Sequence, residues 1–202
     1  MARAGRPRQF DRDEAVKKAM DLFWQKGFEG TSLAELRNTL GKLSAASFYA
    51  AFGSKGALYK ECLELYTHTC GEILSELEND EIPALDAIKN MVEKTIHQQT
   101  SSLTPTGCMA VLSGLNCCDD NKDIEQMASS VRNQVRAGLS HCISRGVKRD
   151  ELRQDIDPEH LVTVLDTFIN GISIQSRDGA SREQLTAAVN LLFDALRHQC
   201  AQ

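Results

Sequence analysis

Apolar residues recur every three to four positions along most of this chain, which is the spacing of one buried helix face. The first stripe, which Asp11 can cap, runs through Ala15, Ala19 and Phe23 and stops at Gly27. Later long stripes lie in residues 55–78, 83–99, 123–145, 158–176 and 181–200. Polar or Gly/Pro-containing segments separate them. The pattern predicts an all-α protein.

Two short helices joined by a tight turn are predicted between the first stripe and residue 55. Either Thr31 or Ser32 can cap the first of them, and Gly41 can end it. Ser44 can cap the second, whose apolar anchors are two phenylalanines one turn apart. Two helices crossing at a sharp turn, the second with few large polar side chains, indicate a helix-turn-helix.

The chain divides on this pattern into a head, residues 1–54, and a body, residues 55–202. Ser54 can cap a helix from residue 55 to about 78, and its far end would enter the body. This helix therefore links the two parts mechanically. The head has three helices preceded by a basic arm that contains Arg6 and Arg8, and such an arm can enter a minor groove or remain a polar tail.

The body is predicted to contain the remaining helices and one loop. Residues 100–107 are rich in Ser, Thr, Pro and Gly and predict a loop, after which residues 108–118 predict a short buried helix. Asp123 can cap the long helix that follows. The last two helices are apolar over more than one narrow stripe, which predicts a homodimer formed through them.

Charge is distributed unevenly between the two parts. Residues 1–60 hold eleven Lys/Arg against six Asp/Glu, while the rest of the chain holds twelve against twenty-two. A basic head on an acidic body is typical of a protein that presents one face to nucleic acid, although a solvated surface with chance asymmetry gives the same totals.

The helix-turn-helix region resembles the TetR/AcrR family of bacterial transcriptional regulators. The matching residues are Thr31, Ser32, Leu36, Gly41, Ser44, Phe48, Tyr49, Phe52, Ser54 and Lys55. The turn is one residue longer than usual, and Ala51 stands where many relatives place His or Tyr. The resemblance covers the first quarter of the chain. It implies a homodimeric repressor that binds a roughly palindromic DNA operator and is released by a small-molecule effector.

The DNA contacts can be assigned by role. The exposed side of the second short helix is predicted to meet the major groove through short side chains, which let a helix lie close to the bases. The residues expected there, with the turn, are Lys42, Ser44, Ala45, Ala46, Ser47 and Ala50. The resemblance adds Thr31, Tyr49 and Lys55 as phosphate contacts. The ring of Tyr49 could instead pack within the head.

An effector pocket is implied by the same resemblance, between the middle helices of the body and the helix before the last. The candidate lining residues are Met91, Thr95, Cys108, Met109, Leu112, Asn116, Phe168, Ile172 and Gln175. The alternative is that they are ordinary core residues. Asn116 and Gln175 matter most, because a polar group on an apolar face needs a partner or a ligand.

The seven cysteines lack zinc-like spacing and predict free thiols in a reducing cytoplasm. Three of them, Cys108, Cys117 and Cys118, fall on one predicted short helix. Cys108 would lie at its N-terminus, where the helix dipole would lower its pKa. The alternative function is therefore a cysteine-based redox or electrophile-sensing regulator on the same scaffold.

An all-α enzyme or binding protein with a coincidental helix-turn-helix is the remaining alternative. The sequence contains no phosphate-binding Gly loop and no nucleophile elbow. The five histidines lie singly, at spacings that do not suit a metal site. No apolar run reaches the length of a membrane span. We therefore expect no catalytic residue, cofactor, metal site or membrane partner.

Overall fold

The computed structural model describes residues 11–200, except the side chain of Gln199, so the predicted contacts of Arg6 and Arg8 lie outside the described residues. Every regular element in this range is helical. The α-helices are α1 Arg12–Gly30, α2 Leu33–Thr39, α3 Ala45–Phe52, α4 Lys55–Leu74, α5 Ala84–Gln99, α6 Met109–Leu112, α7 Lys122–Lys148, α8 Pro158–Arg177 and α9 Arg182–Cys200. Short 3₁₀ turns lie at Ser75–Glu78 and Asp119–Asn121. The predicted all-α fold is confirmed.

Side-chain caps start the helices of the head, as the sequence predicts. Asp11 accepts hydrogen bonds from two backbone N–H groups of α1, and Ser32 caps α2. Ser44 and Ser54 cap α3 and α4 in the same way. Each cap satisfies N–H groups that a helix start leaves without a partner. The beginnings of these four helices are therefore fixed by local sequence.

Helix ends depart from the expected boundaries where tertiary contacts intervene. The predicted stop at Gly27 is a kink with φ of 75°, and α1 continues to Gly30. The linker helix α4 ends at Leu74 and continues as a 3₁₀ turn. The long helix α7 starts one residue before Asp123, without a side-chain cap, and extends past the expected end to Lys148.

The short helix predicted over residues 108–118 is wrong for most of its length. Helix α6 ends at Leu112, because the next residue is held by other parts of the fold. The Ser113 carbonyl accepts a hydrogen bond from the Phe28 backbone N–H at 2.8 Å. The Ser113 hydroxyl pairs with the Tyr59 hydroxyl at 2.7 Å. These long-range bonds redirect the backbone, and no local pattern in the sequence encodes them.

Two apolar cores meet along α4. The body core is formed by buried side chains of α5, α7, α8 and α9 together with Leu77 and Leu152. The head core is formed by α1 to α4, and it also takes in Met109 and Ala110 of α6 and Ile124 of α7. The head is therefore completed by the body, which supplies apolar surface that three short helices lack.

Gly107 is confined by both its backbone conformation and its neighbours. Its φ is +77°, and a Cβ there would lie 2.6 Å from the Ser173 carbonyl oxygen. We expect Gly107→Ala to lower the free energy of unfolding by about 3 kcal/mol, measured by urea titration. Gly179→Ala is the control, because Gly179 has a φ of +94° and open space around it. Equal losses in the two variants would contradict the steric argument.

Candidate DNA-binding surface and effector cavity

The exposed side of α3 carries only short side chains. Ala45, Ala46, Ser47 and Ala50 are exposed, while the two phenylalanines of the helix are buried in the head core. The Ser44 Oγ accepts a hydrogen bond from the Ser47 backbone N–H at 3.0 Å and lies 2.8 Å from the Ser47 Oγ. The result is a nearly smooth surface with two hydroxyls at one end, which suits close approach to a DNA groove.

Tyr49 stands at the edge of this surface. Its ring lies edge-on to Phe48, with 5.7 Å between the ring centroids, and half of the residue remains exposed. One side of the ring therefore packs on the head while the rest of the side chain faces outward. Packing and an outward phosphate contact, which the sequence left as alternatives, are geometrically compatible.

The longer turn between α2 and α3 is built from two residues with left-handed backbone. Gly41 has a φ of 96° and Lys42 a φ of 60°. Arg37 closes the turn, because its Nε donates to the Leu43 carbonyl at 2.8 Å and its own carbonyl accepts from the Leu43 N–H at 2.9 Å. The extra residue thus places the exposed Lys42 side chain next to the start of α3.

Two of the expected phosphate contacts are used by the fold itself. Thr31 is fully buried, and its hydroxyl donates to the Gly27 carbonyl at 2.7 Å. The Lys55 ammonium lies 4.1 Å from the centroid of the Phe28 ring. Burial lowers the pKa of Lys55, and the carboxylate of Glu29 acts in the opposite direction. The Thr31 hydroxyl is therefore engaged inside the head, while Lys55 packs on Phe28 and stays partly exposed.

A cavity of about 90 Å³ lies between α4, α5, α6, α7 and α8. Of the nine predicted lining residues, Met91, Thr95 and Cys108 line it. The lining also contains residues that sequence analysis missed, and its polar and charged members among these are Tyr66, Thr67, Cys70, Gln98, Gln99, Arg132, Gln134, Asp166, Asn170 and Ser173. Gln99 and Ser173 could have been recognised as candidates, because each is a polar residue on a buried helix face.

The other six predicted lining residues lie elsewhere. Met109 is buried in the head core, Leu112 is partly buried at the end of α6, and Asn116 is exposed because its segment is not helical. Phe168, Ile172 and Gln175 line an open groove between α8 and α9. The prediction missed these positions because it assigned one continuous helix to residues 108–118 and one inner face to α8.

Two family patterns match the chain. Residues 15–62 match the pattern described as bacterial regulatory proteins of the tetR family, and residues 84–197 match the tetracyclin repressor-like C-terminal domain. The chain belongs to the TetR family of bacterial regulatory proteins. It is therefore a DNA-binding transcriptional regulator and not an enzyme.

Several TetR-family proteins are similar over almost the whole chain. The HTH-type transcriptional repressor ComR of Escherichia coli K12 is 34% identical over 90% of this chain and 86% of its own length. A cysteine mutant of the regulator CifR, solved with 26-bp operator DNA, is 34% identical with a TM-score of 0.86, covering 94% of this chain and 99% of that one. Reduced NemR of E. coli is 25% identical with a TM-score of 0.75, over 94% and 96%.

Cys108 does not have the environment of an activated thiol. Burial raises its pKa, and the Tyr66 hydroxyl donates to its Sγ at 3.1 Å. The expectation that a helix dipole lowers this pKa is wrong, because α6 is only four residues long and desolvation dominates. Burial also raises the pKa of Cys117, while Cys118 is exposed. The redox alternative stays a hypothesis, and the environment of Cys108 does not support an activated thiol there.

A hydrogen-bonded joint connects the head of this TetR-family protein to the wall of the cavity. The Trp24 Nε1 donates to the Gly107 carbonyl at 3.1 Å, directly before the cavity residue Cys108. Arg177, at the end of α8, donates to the carbonyls of Trp24, Gln25 and Thr106 at 2.9 to 3.1 Å. Burial lowers the pKa of its guanidinium. Helix α1, the 100–107 loop and α8 are therefore bonded at one point.

A second connection lies at the other side of α1. The Glu29 Oε1 accepts hydrogen bonds from the Cys118 backbone N–H at 2.9 Å and from the Asn121 side-chain amide at 2.8 Å. These bonds lower the pKa of Glu29.

No group of side chains within residues 11–200 is arranged to hold a metal ion. None of the helices in this range combines the length and apolarity to cross a membrane.

Lys42 provides a test of the DNA surface, because it is exposed and has no acidic partner among the described residues. We expect Lys42→Asn to weaken binding to all DNA sequences alike and to reduce the slope of log K against log salt by about one. Asn suits the φ of 60°, so the variant removes a charge with little backbone strain. The measurement is a salt series of DNA titrations.

The matched control for this charge is Lys148→Asn, at the exposed C-terminal end of α7 in the body. It removes the same charge from a part of the chain distant in sequence from α3. We expect its salt slope to equal that of the wild type. A reduced slope in both variants would indicate a general charge effect and would remove Lys42 from the DNA surface.

Proposed function

We propose that this chain is a repressor that binds a roughly palindromic operator as a homodimer and releases it when a small molecule occupies the cavity between α4 and α8. The proposal rests on the joint between the head and the cavity wall. Its hydrogen bonds connect the part of the chain that carries the candidate DNA surface to the part that encloses the cavity. The similar proteins ComR and NemR are repressors by name, and CifR was solved on operator DNA. A protein of this kind acts in the cytoplasm.

The proposed dimer surface is the open groove between α8 and α9 with its continuation at both ends. Val164 is one turn before the groove residue Phe168 and is half-exposed, and Ile174 is half-exposed further along α8. Leu191 is one turn beyond the groove residue Ala188 on α9 and is 74% exposed. A continuous exposed apolar face of this kind supports association of two copies.

The DNA surface supports the same proposal. Each copy presents one exposed α3 face, and a two-fold dimer presents two faces in opposite orientation. Two such helices read half-sites about 34–36 Å apart on one side of the duplex. The candidate contacts are Lys42, Ser44, Ala45, Ala46, Ser47, Tyr49 and Ala50, together with the basic arm that contains Arg6 and Arg8. Thr31 is buried inside the head, and the partly exposed Lys55 stays a candidate phosphate contact.

The repressor proposal is tested by footprinting the purified chain on fragments of its own genome. We expect protection of a nearly palindromic site by a dimer. Leu191→Glu is expected to give monomers in sedimentation and about a hundredfold weaker operator binding, because the second half-site is no longer linked to the first. The control is Leu103→Glu, since Leu103 is 92% exposed in the 100–107 loop. A monomeric wild type that protects asymmetric sites would contradict the proposal.

The joint supplies the route by which an occupied cavity would affect the head. Cys108 lines the cavity, and the two residues before it accept hydrogen bonds from Trp24 and Arg177. A ligand that displaces the Cys108 backbone therefore also changes the anchoring of α1. The linker helix α4 adds a second route, because Tyr66 and Cys70 lie on the cavity wall while the start of α4 packs in the head core.

We expect Arg177→Met to lower operator affinity about tenfold, because the head is no longer held in one orientation by α8. Trp24 is the single tryptophan of the chain, so its fluorescence reports on the joint directly. Its emission should shift to longer wavelength as the joint opens to solvent. The measurements are an operator titration and an emission spectrum of the same samples.

Arg182→Met is the matched control, because Arg182 is an exposed arginine at the start of α9. We expect neither operator affinity nor Trp24 emission to change in this variant. Unchanged operator binding by Arg177→Met, with a red-shifted emission that proves the joint is open, would show that the joint does not control the head.

A further inference from the structure

Two polar groups on the cavity wall have no hydrogen-bond partner within residues 11–200. The Oε1 of Gln99 lies on a residue that is 3% exposed, and the Oγ of Ser173 lies on one that is fully buried. Both residues line the cavity. A buried polar atom without a partner is rare in folded proteins and costs free energy, so its presence at a cavity indicates a bound molecule.

The other buried hydrogen-bonding side chains of the wall are already satisfied. The Thr95 hydroxyl donates to the Met91 carbonyl at 2.9 Å. The Tyr66 hydroxyl donates to the Cys108 Sγ at 3.1 Å. The buried side-chain atoms of the wall that still lack a hydrogen-bond partner within residues 11–200 are therefore those of Gln99 and Ser173.

The backbones of Gln99 and Ser173 both approach Gly107. The Gly107 N–H donates to the Gln99 carbonyl at 3.0 Å. A Cβ on Gly107 would lie 2.6 Å from the Ser173 carbonyl oxygen. The last turn of α5 and the C-terminal part of α8 thus approach each other across one glycine. The two unsatisfied side chains therefore belong to neighbouring parts of the wall, on either side of this glycine.

The charged side chains of the wall are partly exposed and already engaged. Arg132 donates to the Ala110 carbonyl at 2.6 Å. Asp166 accepts from the Asn170 amide at 3.2 Å and lies 3.7 Å from Arg136. Arg177, next to this part of the wall, is not among the cavity-lining residues, and its guanidinium is taken up by the carbonyls of Thr106, Trp24 and Gln25, so an anion there would be poorly compensated for its desolvation. The remaining wall is largely aliphatic, with Met91, Val111 and Ile169 as examples.

We propose that the effector is a small uncharged molecule with an aliphatic body and one hydroxyl or primary amide, which hydrogen-bonds Gln99 Oε1 and Ser173 Oγ. Either group both donates and accepts, as this pair of atoms requires. A cavity of about 150 Å³ holds benzene, so the present volume of about 90 Å³ restricts the ligand to a small, unbranched molecule. This proposal rests on the proposed function, which makes the cavity the effector site.

The test compares four probes of nearly equal length: 1-butanol, butyramide, butyrate and pentane. Their dissociation constants are measured by ligand-observed NMR on the full chain, without DNA. We expect 1-butanol and butyramide to bind and butyrate to bind at least tenfold more weakly than butyramide. Ser173→Ala and Gln99→Met should each weaken 1-butanol and butyramide about tenfold and leave pentane unchanged or tighter. Gln126→Met, on the exposed side of α7 and outside the cavity, should leave all four dissociation constants unchanged.

Each opposite result overturns the proposed ligand class. Tighter binding of butyrate than butyramide would indicate an anion held by Arg132. Equal weakening of pentane and 1-butanol by the variants would indicate a structural effect, and no binding of any probe would remove the site. Ser173→Ala keeps a helix-compatible residue, so it remains informative if Gln99→Met does not fold. Failure of the wild type to bind operator DNA would refute the repressor function and leave these binding ratios unaffected.

Discussion

The segment from Thr106 to Cys108 is the point on which the arrangement of the whole molecule depends. Its carbonyls accept hydrogen bonds from α1 and α8, its glycine lets α8 approach closely, and its last residue forms part of the cavity wall. Hydrogen bonds from a guanidinium to carbonyls are stronger than neutral ones, particularly when they are withdrawn from water. Without this segment, the head would be tied to the body by α4, by apolar contacts, by the Phe28–Ser113 backbone hydrogen bond and by the bonds of Glu29.

The composition of the two cores packs the head tightly against the body. The head core closes over residues from α6 and α7, and the same α6 begins directly after the joint. Tyr59 on α4 reaches Ser113, and burial raises its pKa to about 12. A displacement of α6 therefore cannot be confined to the cavity, because α6 has neighbours in both cores. Close-packed interiors transmit such shifts instead of absorbing them.

Local sequence rules predicted the head well and the body only in outline. The caps at Asp11, Ser32, Ser44 and Ser54 depend on neighbouring residues and were predicted correctly. Residues 108–118 were mispredicted, because Ser113 is bound by residues more than fifty positions away in the sequence. The packing of Thr31 against Gly27 and of Lys55 on Phe28 was not predicted for the same reason, since a motif specifies residue types and does not specify which way a side chain turns.

The spacing of apolar residues did not predict which polar side chains line the cavity. Buried apolar positions on α5 and α8 are recognisable from spacing, and Met91 and Thr95 were recognised in that way. Spacing does not show which polar residue on such a face is satisfied by its own helix. Thr95 bonds the carbonyl one turn earlier, whereas Ser173, also on a helix, has no partner among the described residues. An unsatisfied buried group costs about 1–3 kcal/mol, and a bound molecule that satisfies it recovers part of that cost. The proposed selectivity of the cavity therefore depends on hydrogen-bonding chemistry as well as on size.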